Sequence, residues 1–206
     1  MREGRDCMAY VELRGLKKHF GNVRAVDGVD LTISDGEFLV LLGPSGSGKT
    51  TLVKHLNGIL TPTAGDIRLL GKSLKGQPAT RLSRLVGLVF QNPDHQIFAE
   101  RIRDEVAFGP RLQGLAEGEI AGRVDEALEA VGLAGAGDLD PFILTKGGRQ
   151  RVAVAGTLAT KPEVIILDEP TTGLDHRELE LGRTGGQLLL LLFRLAGLAG
   201  LLLLAP

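Results

Sequence analysis

The most informative residues for chemistry form a glycine-rich segment that ends in a lysine and a threonine. The segment Gly43-Pro-Ser-Gly-Ser-Gly-Lys49-Thr50 has the spacing G-x-x-x-x-G-K-[ST]. Such glycines let backbone N–H groups turn toward phosphate oxygens, and the lysine adds a positive charge beside the β- and γ-phosphates. The threonine hydroxyl is an oxygen ligand of the kind that Mg²⁺ prefers. The expected nucleotide-binding residues are Gly43, Pro44, Ser45, Gly46, Ser47, Gly48, Lys49, Thr50 and Thr51.

Two adjacent carboxylates follow a second apolar segment. Val164-Ile-Ile-Leu167 directly precedes Asp168 and Glu169. A strand ending here would bring Asp168 to the carboxyl edge of a sheet, where α/β proteins bind ligands. We expect Asp168 to hold Mg²⁺ through water and Glu169 to act as the general base for the water that attacks the γ-phosphate. The two motifs together predict a nucleotide hydrolase.

The elements that position these residues can be predicted from the hydrophobic pattern. Residues 37–42 and 164–167 are almost continuous apolar runs, as in strands buried on both faces of a parallel sheet. Helices are expected from Lys49 to about Gly58, along the amphipathic stretch that begins at Gly118, and from Thr145 to Ala159. Strands that alternate with helices predict an α/β fold with a mostly parallel sheet.

Two further regions complete this expected organisation. Residues 9–33 contain short apolar segments, with Gly15, Gly21 and Gly28 as turn signals, and predict a small antiparallel sheet. Residues 93–140 are charged and helical in pattern, and we expect a helical subdomain inserted between sheet elements.

Composition excludes several classes of function. The 206 residues suit one domain, and 24 Lys+Arg against 25 Asp+Glu argue against binding nucleic acid through a basic surface. Aromatic residues make up only 4% and tryptophan is absent, so a platform for stacking bases is not expected. The single cysteine, Cys7, excludes a disulfide framework. The polar residues 1–8 lack a signal peptide, which predicts a cytoplasmic start.

The segment Leu144-Thr-Lys-Gly-Gly-Arg-Gln-Arg151 narrows the type of hydrolase. Here the chain resembles the ATP-binding-cassette (ABC) ATPases, whose signature has a serine, two small residues and a Gln or Glu before a helix. Thr145 stands for the serine and Gly147 is in place, whereas Lys146 and Gly148 depart from the pattern. The resemblance implies that Thr145, Lys146, Gly147 and Gly148 act in trans, in a head-to-tail pair of subunits that encloses two ATP molecules.

Membership of this family would give the chain a P-loop NTPase fold, with an N-terminal antiparallel β-subdomain and a helical subdomain at about 93–158. It also implies roles for three other residues: Phe20 would stack on adenine, Gln91 would reach Mg²⁺ and the attacking water, and Asp175 would lie in the loop that crosses the dimer seam. The implied cofactors are ATP and Mg²⁺. The implied catalytic residues are Glu169, Gln91 and Lys49, and the implied metal-binding residues are Thr50, Gln91 and Asp168.

A narrower resemblance rests on Gln91-Asn-Pro-Asp-His-Gln-Ile-Phe98 and Asp104-Glu-Val-Ala-Phe-Gly-Pro110. These segments are similar to those of the ATPase subunits of energy-coupling-factor transporters, including cobalt and nickel importers. The expected partners are therefore a second ABC ATPase subunit, identical or different, a transmembrane T-component and a substrate-binding membrane subunit. The expected place is the cytoplasmic side of the cell membrane, and the expected activity is ATP-driven uptake of a vitamin or a transition-metal ion.

The sequence departs from the family after Asp175. The family would continue with a helix, a strand and a strand-end histidine, but no histidine follows His176. Residues 181–206 instead form a Leu/Gly-rich tail, so the ABC ATPase domain is assigned to residues 8–180. A frameshifted or truncated reading frame is the favoured hypothesis for this tail. A membrane span over 188–205, interrupted by Arg194, is the alternative.

Two other functions compete with a transport motor. One is an ATP-binding remnant with little or no ATPase activity, which the missing histidine favours. The other is a DNA-repair or chromosome-organising ATPase. That class needs a long coiled coil between the phosphate loop and the signature, and the stretch from Lys49 to Leu144 is short and lacks heptads.

Overall fold

A computed structural model describes residues 10–168 and 200–204 of the chain. The strands among these residues are β1 (Val11–Phe20), β2 (Val23–Ile33), β3 (Glu37–Leu41), β4 (Ala64–Leu69), β5 (Lys72–Ser73), β6 (Val86–Val89), β7 (Val164–Asp168) and β8 (Gly200–Leu204). The helices are α1 (Lys49–Leu56), α2 (Ala79–Leu85), α3 (Ile102–Leu112), α4 (Glu117–Ala130) and α5 (Lys146–Ala159), and short 3₁₀ turns lie at Pro93–His95 and Pro141–Ile143.

An antiparallel sheet with the strand order β2-β1-β4-β5 forms the N-terminal part of the fold. Gly21 makes the turn between β1 and β2 with a φ of +57°, as expected. Gly15 and Gly28, also expected to be turns, lie instead inside the strands, where the β1–β2 register is interrupted. Glycine is the favoured residue at such bulges because it adopts positive φ without strain. The two long strands therefore continue through both glycines.

The second sheet is parallel, as predicted, with the strand order β3-β8-β7-β6. Strand β8 lies between β3 and β7 and pairs in register with both, from Glu37 and Val164 opposite Gly200 to Leu41 and Asp168 opposite Leu204. The sequence analysis placed residues 200–204 in the atypical tail and assigned no strand there. The rest of that tail before residue 200, including most of the alternative membrane span, lies outside the described residues.

Strand β7 shows how the parallel sheet separates two hydrophobic cores. Its four apolar residues, Val164 to Leu167, are almost completely buried. Alternate side chains point to opposite faces, since a strand has a repeat of two residues. Ile165 and Leu167 pack with the helices α3, α4 and α5, whereas Val164 and Ile166 pack with the antiparallel sheet and α1. This burial on both faces explains the continuous apolar run in the sequence.

Helices α3, α4 and α5 form the expected helical subdomain between β6 and β7. The amphipathic helix predicted around Gly118 is α4, which buries Ile120, Val124 and Leu128 on one face. Helix α5 begins at Lys146, one residue after the predicted start, because Thr145 is its N-terminal cap. Within the described part of the chain, no helix is long and apolar enough to cross a membrane.

His55, in the last turn of α1, is a buried titratable group. Its Nδ1 lies 2.7 Å from the Thr51 carbonyl oxygen and donates to it, and its Nε2 is buried with no hydrogen-bond partner among the described residues. Burial lowers the pKa of His55 below its ordinary value of about 6.5. The folded state therefore favours the neutral ring, whereas the unfolded chain takes up a proton as the pH falls below about 6.5.

We accordingly expect the free energy of unfolding to decrease as the pH is lowered from 7.5 to 5, and part of this decrease to be absent in His55→Leu. Denaturant titrations at several pH values measure the effect. Val53→Ala is the control for lost packing in α1: it is expected to lower the free energy of unfolding while keeping the wild-type pH dependence, because the buried Val53 has no titratable group. An unchanged pH dependence in His55→Leu would contradict the prediction.

Candidate functional site

The glycine-rich segment forms a loop between β3 and α1, in the context that a phosphate-binding loop requires. Gly46 and Gly48 have φ values of +81° and +93°, which other residues rarely adopt. A Cβ atom on Gly48 would lie only 2.3 Å from the Ala25 carbonyl oxygen. The loop therefore packs directly against β2, and this close approach requires glycine. Gly48 also gives α1 no side-chain cap, so the N-terminal end of the helix faces the loop.

Lys49 is the first residue of α1, and its ammonium group lies within the loop. Its Nζ donates hydrogen bonds to the carbonyl oxygens of Gly43 and Pro44, the latter at 3.2 Å. The loop residues 44–47 are exposed, whereas Lys49, Thr50 and Thr51 are half-buried. The loop therefore presents a fixed positive charge and a helix N-terminus on an accessible surface, an arrangement that suits a phosphate chain.

Thr50 and Asp168 meet at this loop, although they are 118 residues apart in sequence. The Thr50 hydroxyl lies 3.4 and 3.5 Å from the two carboxylate oxygens of Asp168. These are hard oxygen donors that suit Mg²⁺. In the described part of the chain, no three His, Cys, Asp or Glu side chains form a metal-binding group. The residues fit an ion that takes one or two protein oxygens and completes its shell with phosphate and water oxygens, as Mg²⁺ commonly does.

The structure places Gln91 at the same edge of the parallel sheet. Strand β6 pairs with β7 through Val89 and Leu167, so the chain after β6 emerges beside Asp168. Gln91 is the second residue after this strand and is exposed. Its predicted contact with Mg²⁺ and the attacking water is compatible with this position and stays a prediction.

Phe20 lies at the end of β1, at the tip of the hairpin that packs against the phosphate loop through Ala25 and Gly48. Its side chain is 48% exposed, and the Lys18 ammonium lies 5.1 Å from its ring centroid. An exposed ring near the phosphate loop is what stacking on adenine requires, and that role stays a prediction.

The predicted signature segment forms the start of α5. The Thr145 hydroxyl caps the helix by accepting a hydrogen bond from the Gly148 N–H at 3.1 Å. Thr145 and Lys146 are exposed, whereas Gly147 and Gly148 are buried. A Cβ atom at position 148 would lie 2.9 Å from Leu144 Cβ, which gives a structural reason for glycine where the family has Gln or Glu. The action of these four residues on a second subunit stays a prediction.

Two of the predicted site residues lie outside the described residues. These are Glu169, the predicted general base, and Asp175, predicted to lie at the dimer seam. Their roles stay predictions.

The structure also reveals residues to which the sequence analysis gave no role. Glu105 is 8% exposed, and its carboxylate accepts hydrogen bonds from the N–H groups of Phe98 and Ala99 at 3.0 and 2.9 Å. It thereby fixes the segment that follows Gln91 onto α3. A Cβ atom on Gly109 would lie 2.4 Å from Thr160 Cγ2, so glycine permits α3 to pack against the end of α5. The only sequence signal for these roles was the resemblance of the whole segment 104–110 to a family pattern.

Comparisons with known proteins agree with this geometry. The sequence model of the family described as ABC transporter matches residues 26–172. The energy-coupling factor transporter ATP-binding protein EcfA of Methanocaldococcus jannaschii is 47% identical over 171 residues, which cover 82% of this chain and 61% of that protein. The chain spans between 27% and 61% of the length of the curated relatives it matches.

Two solved structures show the same fold. CbiO1 of Clostridium perfringens, part of the ABC transporter complex cbiONQ, superposes with a TM-score of 0.86 at 33% identity, over 96% of this chain and 78% of that one. An ATP-binding cassette solved as a dimer in a post-hydrolysis state with ADP and Pi gives a TM-score of 0.79 at 28% identity, over 95% and 87% of the two chains. With its phosphate loop, its Thr50–Asp168 pair and the family match over most of its length, the chain belongs to the ABC transporter family.

Proposed function

We propose that this chain is the ATP-binding and hydrolysing subunit of an energy-coupling-factor-type transporter, and that it powers the uptake of a vitamin or a transition-metal ion. The observation that carries this proposal is the approach of the Thr50 hydroxyl to the Asp168 carboxylate at the start of α1, next in sequence to Lys49, whose ammonium lies in the phosphate loop. A cation, a hydroxyl and a carboxylate are thus combined at the tip of one helix, where a nucleotide triphosphate and Mg²⁺ can be held together.

Each residue of the proposed site has a role that follows from its chemistry. Lys49 and the N–H groups of the loop bind and orient the phosphates, because charge-assisted hydrogen bonds are about twice as strong as neutral ones. Thr50 and Asp168 would hold Mg²⁺, which neutralises negative charge on the phosphate oxygens when it is bound. Gln91 orients the attacking water and Glu169 accepts its proton. Phe20 stacks on adenine and adds affinity for the base.

A second subunit completes the site in this proposal. The relative solved with ADP and Pi is a dimer. Thr145 and Lys146 are exposed at the start of α5, as residues must be if they contact a nucleotide held by another subunit. Asp175 would lie at the seam. The partner subunit is either a second copy or a related ATPase.

An exposed apolar surface supports a membrane partner. Phe98, Phe108 and Leu112 are 61%, 43% and 66% exposed, and the rings of Phe98 and Phe108 contact edge to face with their centroids 4.8 Å apart. We call these three residues the phenylalanine patch. Phe98 and Phe108 lie in the two segments that resemble energy-coupling-factor ATPases, and Leu112 follows the second segment by two residues. We propose that a transmembrane T-component docks on this patch. A separate substrate-binding membrane subunit would select the cargo, and the chain would lie on the cytoplasmic side of the cell membrane.

The alternative function is an ATP-binding remnant with little or no turnover. The observation that favours it is the Leu/Gly-rich segment 181–206, which contains no histidine. ATP binding is common to both functions, whereas turnover separates them.

The first test is nucleotide binding. We expect saturable retention of fluorescent ATP that depends on Mg²⁺, and at least tenfold weaker binding in Lys49→Ala, because the substitution removes hydrogen bonds of about 1.5–3 kcal/mol each. Lys54→Ala is the matched control, since Lys54 lies at the other end of α1 and should leave affinity unchanged. Equal affinity in wild type and Lys49→Ala would contradict the proposed function.

The second test is phosphate release by the chain together with its membrane partners. If the chain is a motor, Glu169→Gln is expected to reduce turnover by about 10²–10⁴-fold, because it removes a general base, while ATP affinity is retained. Saturable ATP binding in the wild type without any phosphate release would establish the remnant instead.

The third test addresses the phenylalanine patch. We expect Phe98→Ala combined with Phe108→Ala to abolish co-purification of the T-component, because the substitutions remove most of the exposed apolar surface, and to leave ATP affinity within twofold. Ile59→Ala is the control, as this side chain is 54% exposed and lies outside the patch. Undiminished co-purification of the double variant would disprove docking at this surface.

A further inference from the structure

Arg149 and Asp94 form an ion pair between two segments that are distant in the sequence. Arg149 lies in the first turn of α5, and Asp94 lies in the 3₁₀ turn that follows Gln91. Arg149 Nε donates to Asp94 Oδ1 at 2.5 Å, and Nη2 donates to Oδ2 at 3.3 Å. The arginine side chain is only 18% exposed. Bidentate pairs of this kind fix orientation as well as distance.

The same guanidinium also reaches the signature segment. Arg149 Nη1 donates to the Leu144 carbonyl oxygen at 2.7 Å, and Leu144 directly precedes Thr145. One planar group therefore holds both the loop that begins at Gln91 and the peptide that leads into the signature.

A second contact runs parallel to the first. Gln150 is 8% exposed, and its Nε2 donates to the carbonyl oxygen of Phe90, the residue before Gln91, at 3.3 Å. The Phe90 N–H in turn donates to Gln96 Oε1 at 3.4 Å. The loop is thus held to α5 at its beginning and at its middle.

Helix stability alone does not account for an arginine at this position. The first turn of α5 contains no acidic residue and two basic ones, Lys146 and Arg149. Cations near a helix N-terminus oppose the helix dipole and are unfavourable. Asp94 offsets the charge of Arg149, so the helix depends on the loop for its electrostatic balance. A change in the position of Asp94 will consequently alter the electrostatic balance at the start of α5.

We propose that Arg149 is a positioning residue, and that its pair with Asp94 couples the nucleotide held at the phosphate loop to the signature presented to the second subunit. The inference rests on the proposed function. When Gln91 responds to bound nucleotide, the Asp94–Arg149 pair shifts Leu144, Thr145 and the N–H groups of the following glycines. Nucleotide binding at the phosphate loop of one subunit thereby shifts the signature residues that complete the ATP site of the other subunit.

Hydrogen exchange of the segment 144–150 tests this coupling. Exchange is followed by mass spectrometry with and without Mg²⁺ and a non-hydrolysable ATP analogue, and analogue affinity is measured separately. In the wild type we expect the nucleotide to change the exchange rate of this segment. In Arg149→Gln and in Asp94→Asn we expect that nucleotide-induced change to fall at least fivefold, with affinity within twofold of wild type.

The controls separate coupling from stability. Arg103→Gln breaks an exposed ion pair with Asp138, 2.8 Å long, in the same helical subdomain, and should leave the nucleotide-induced change intact. The double variant Asp94→Asn/Arg149→Gln should show the same nucleotide-induced change in exchange as either single variant, because each substitution removes the same ion pair. A purely structural role would alter exchange equally with and without nucleotide.

The outcomes are distinct. A wild-type response in Arg149→Gln or Asp94→Asn, or no response in nucleotide-bound wild type, would overturn the inference and leave ATP binding established. Failure of the wild type to bind the analogue would overturn the proposed function, and the coupling with it. If Arg149→Gln does not fold, Asp94→Asn decides the question.

Discussion

The contact between the Thr50 hydroxyl and the Asp168 carboxylate, 3.4 Å long, joins the two halves of the chain at the point where phosphate chemistry is expected. It requires that β3 and β7 run in the same direction, since only then do the loop after β3 and the end of β7 meet at one edge. It also requires that Gly48 approach the Ala25 carbonyl closely enough to set the start of α1. The two hydrophobic cores on either side of β7 hold these elements in place.

Local spacing was enough to predict the parts of this site that depend on short segments. The phosphate loop, α1 and the strand that ends at Asp168 each combine an apolar run with an adjacent functional residue, so their type follows from the sequence. Their ends differ slightly from those expected: α1 ends at Leu56 and not at about Gly58, and β7 includes Asp168. The sequence predicts Thr145 as the first residue of α5, whereas in the structure it is the N-terminal cap. A capping threonine and a first-turn threonine cannot be distinguished by sequence alone. Gly15 and Gly28 were interpreted as turns because positive φ serves turns and bulges equally, and only the pairing of β1 with β2 distinguishes them.

Contacts between distant segments that no motif connects could not be predicted from the sequence. A buried glutamate such as Glu105, or a pair such as Asp94 and Arg149, is recognised only when the helices that bring the partners together are known. Strand β8 was missed for a different reason. A run of leucines after a glycine has no alternation, so its pattern does not distinguish a strand from a helix or a membrane segment.

The central position of β8 has a consequence for how the protein forms during synthesis. The ribosome delivers β3, with Glu37, long before Gly200, its partner in β8, and until then both β3 and β7 expose an unpaired edge that can associate with other chains. Pairing across such a long separation is slow, because closing a large loop precedes any gain from contacts. The nascent chain therefore benefits from chaperone protection until β8 emerges. Because β3 leads into the loop that holds phosphate, we expect the nucleotide site to mature only after β8 has paired.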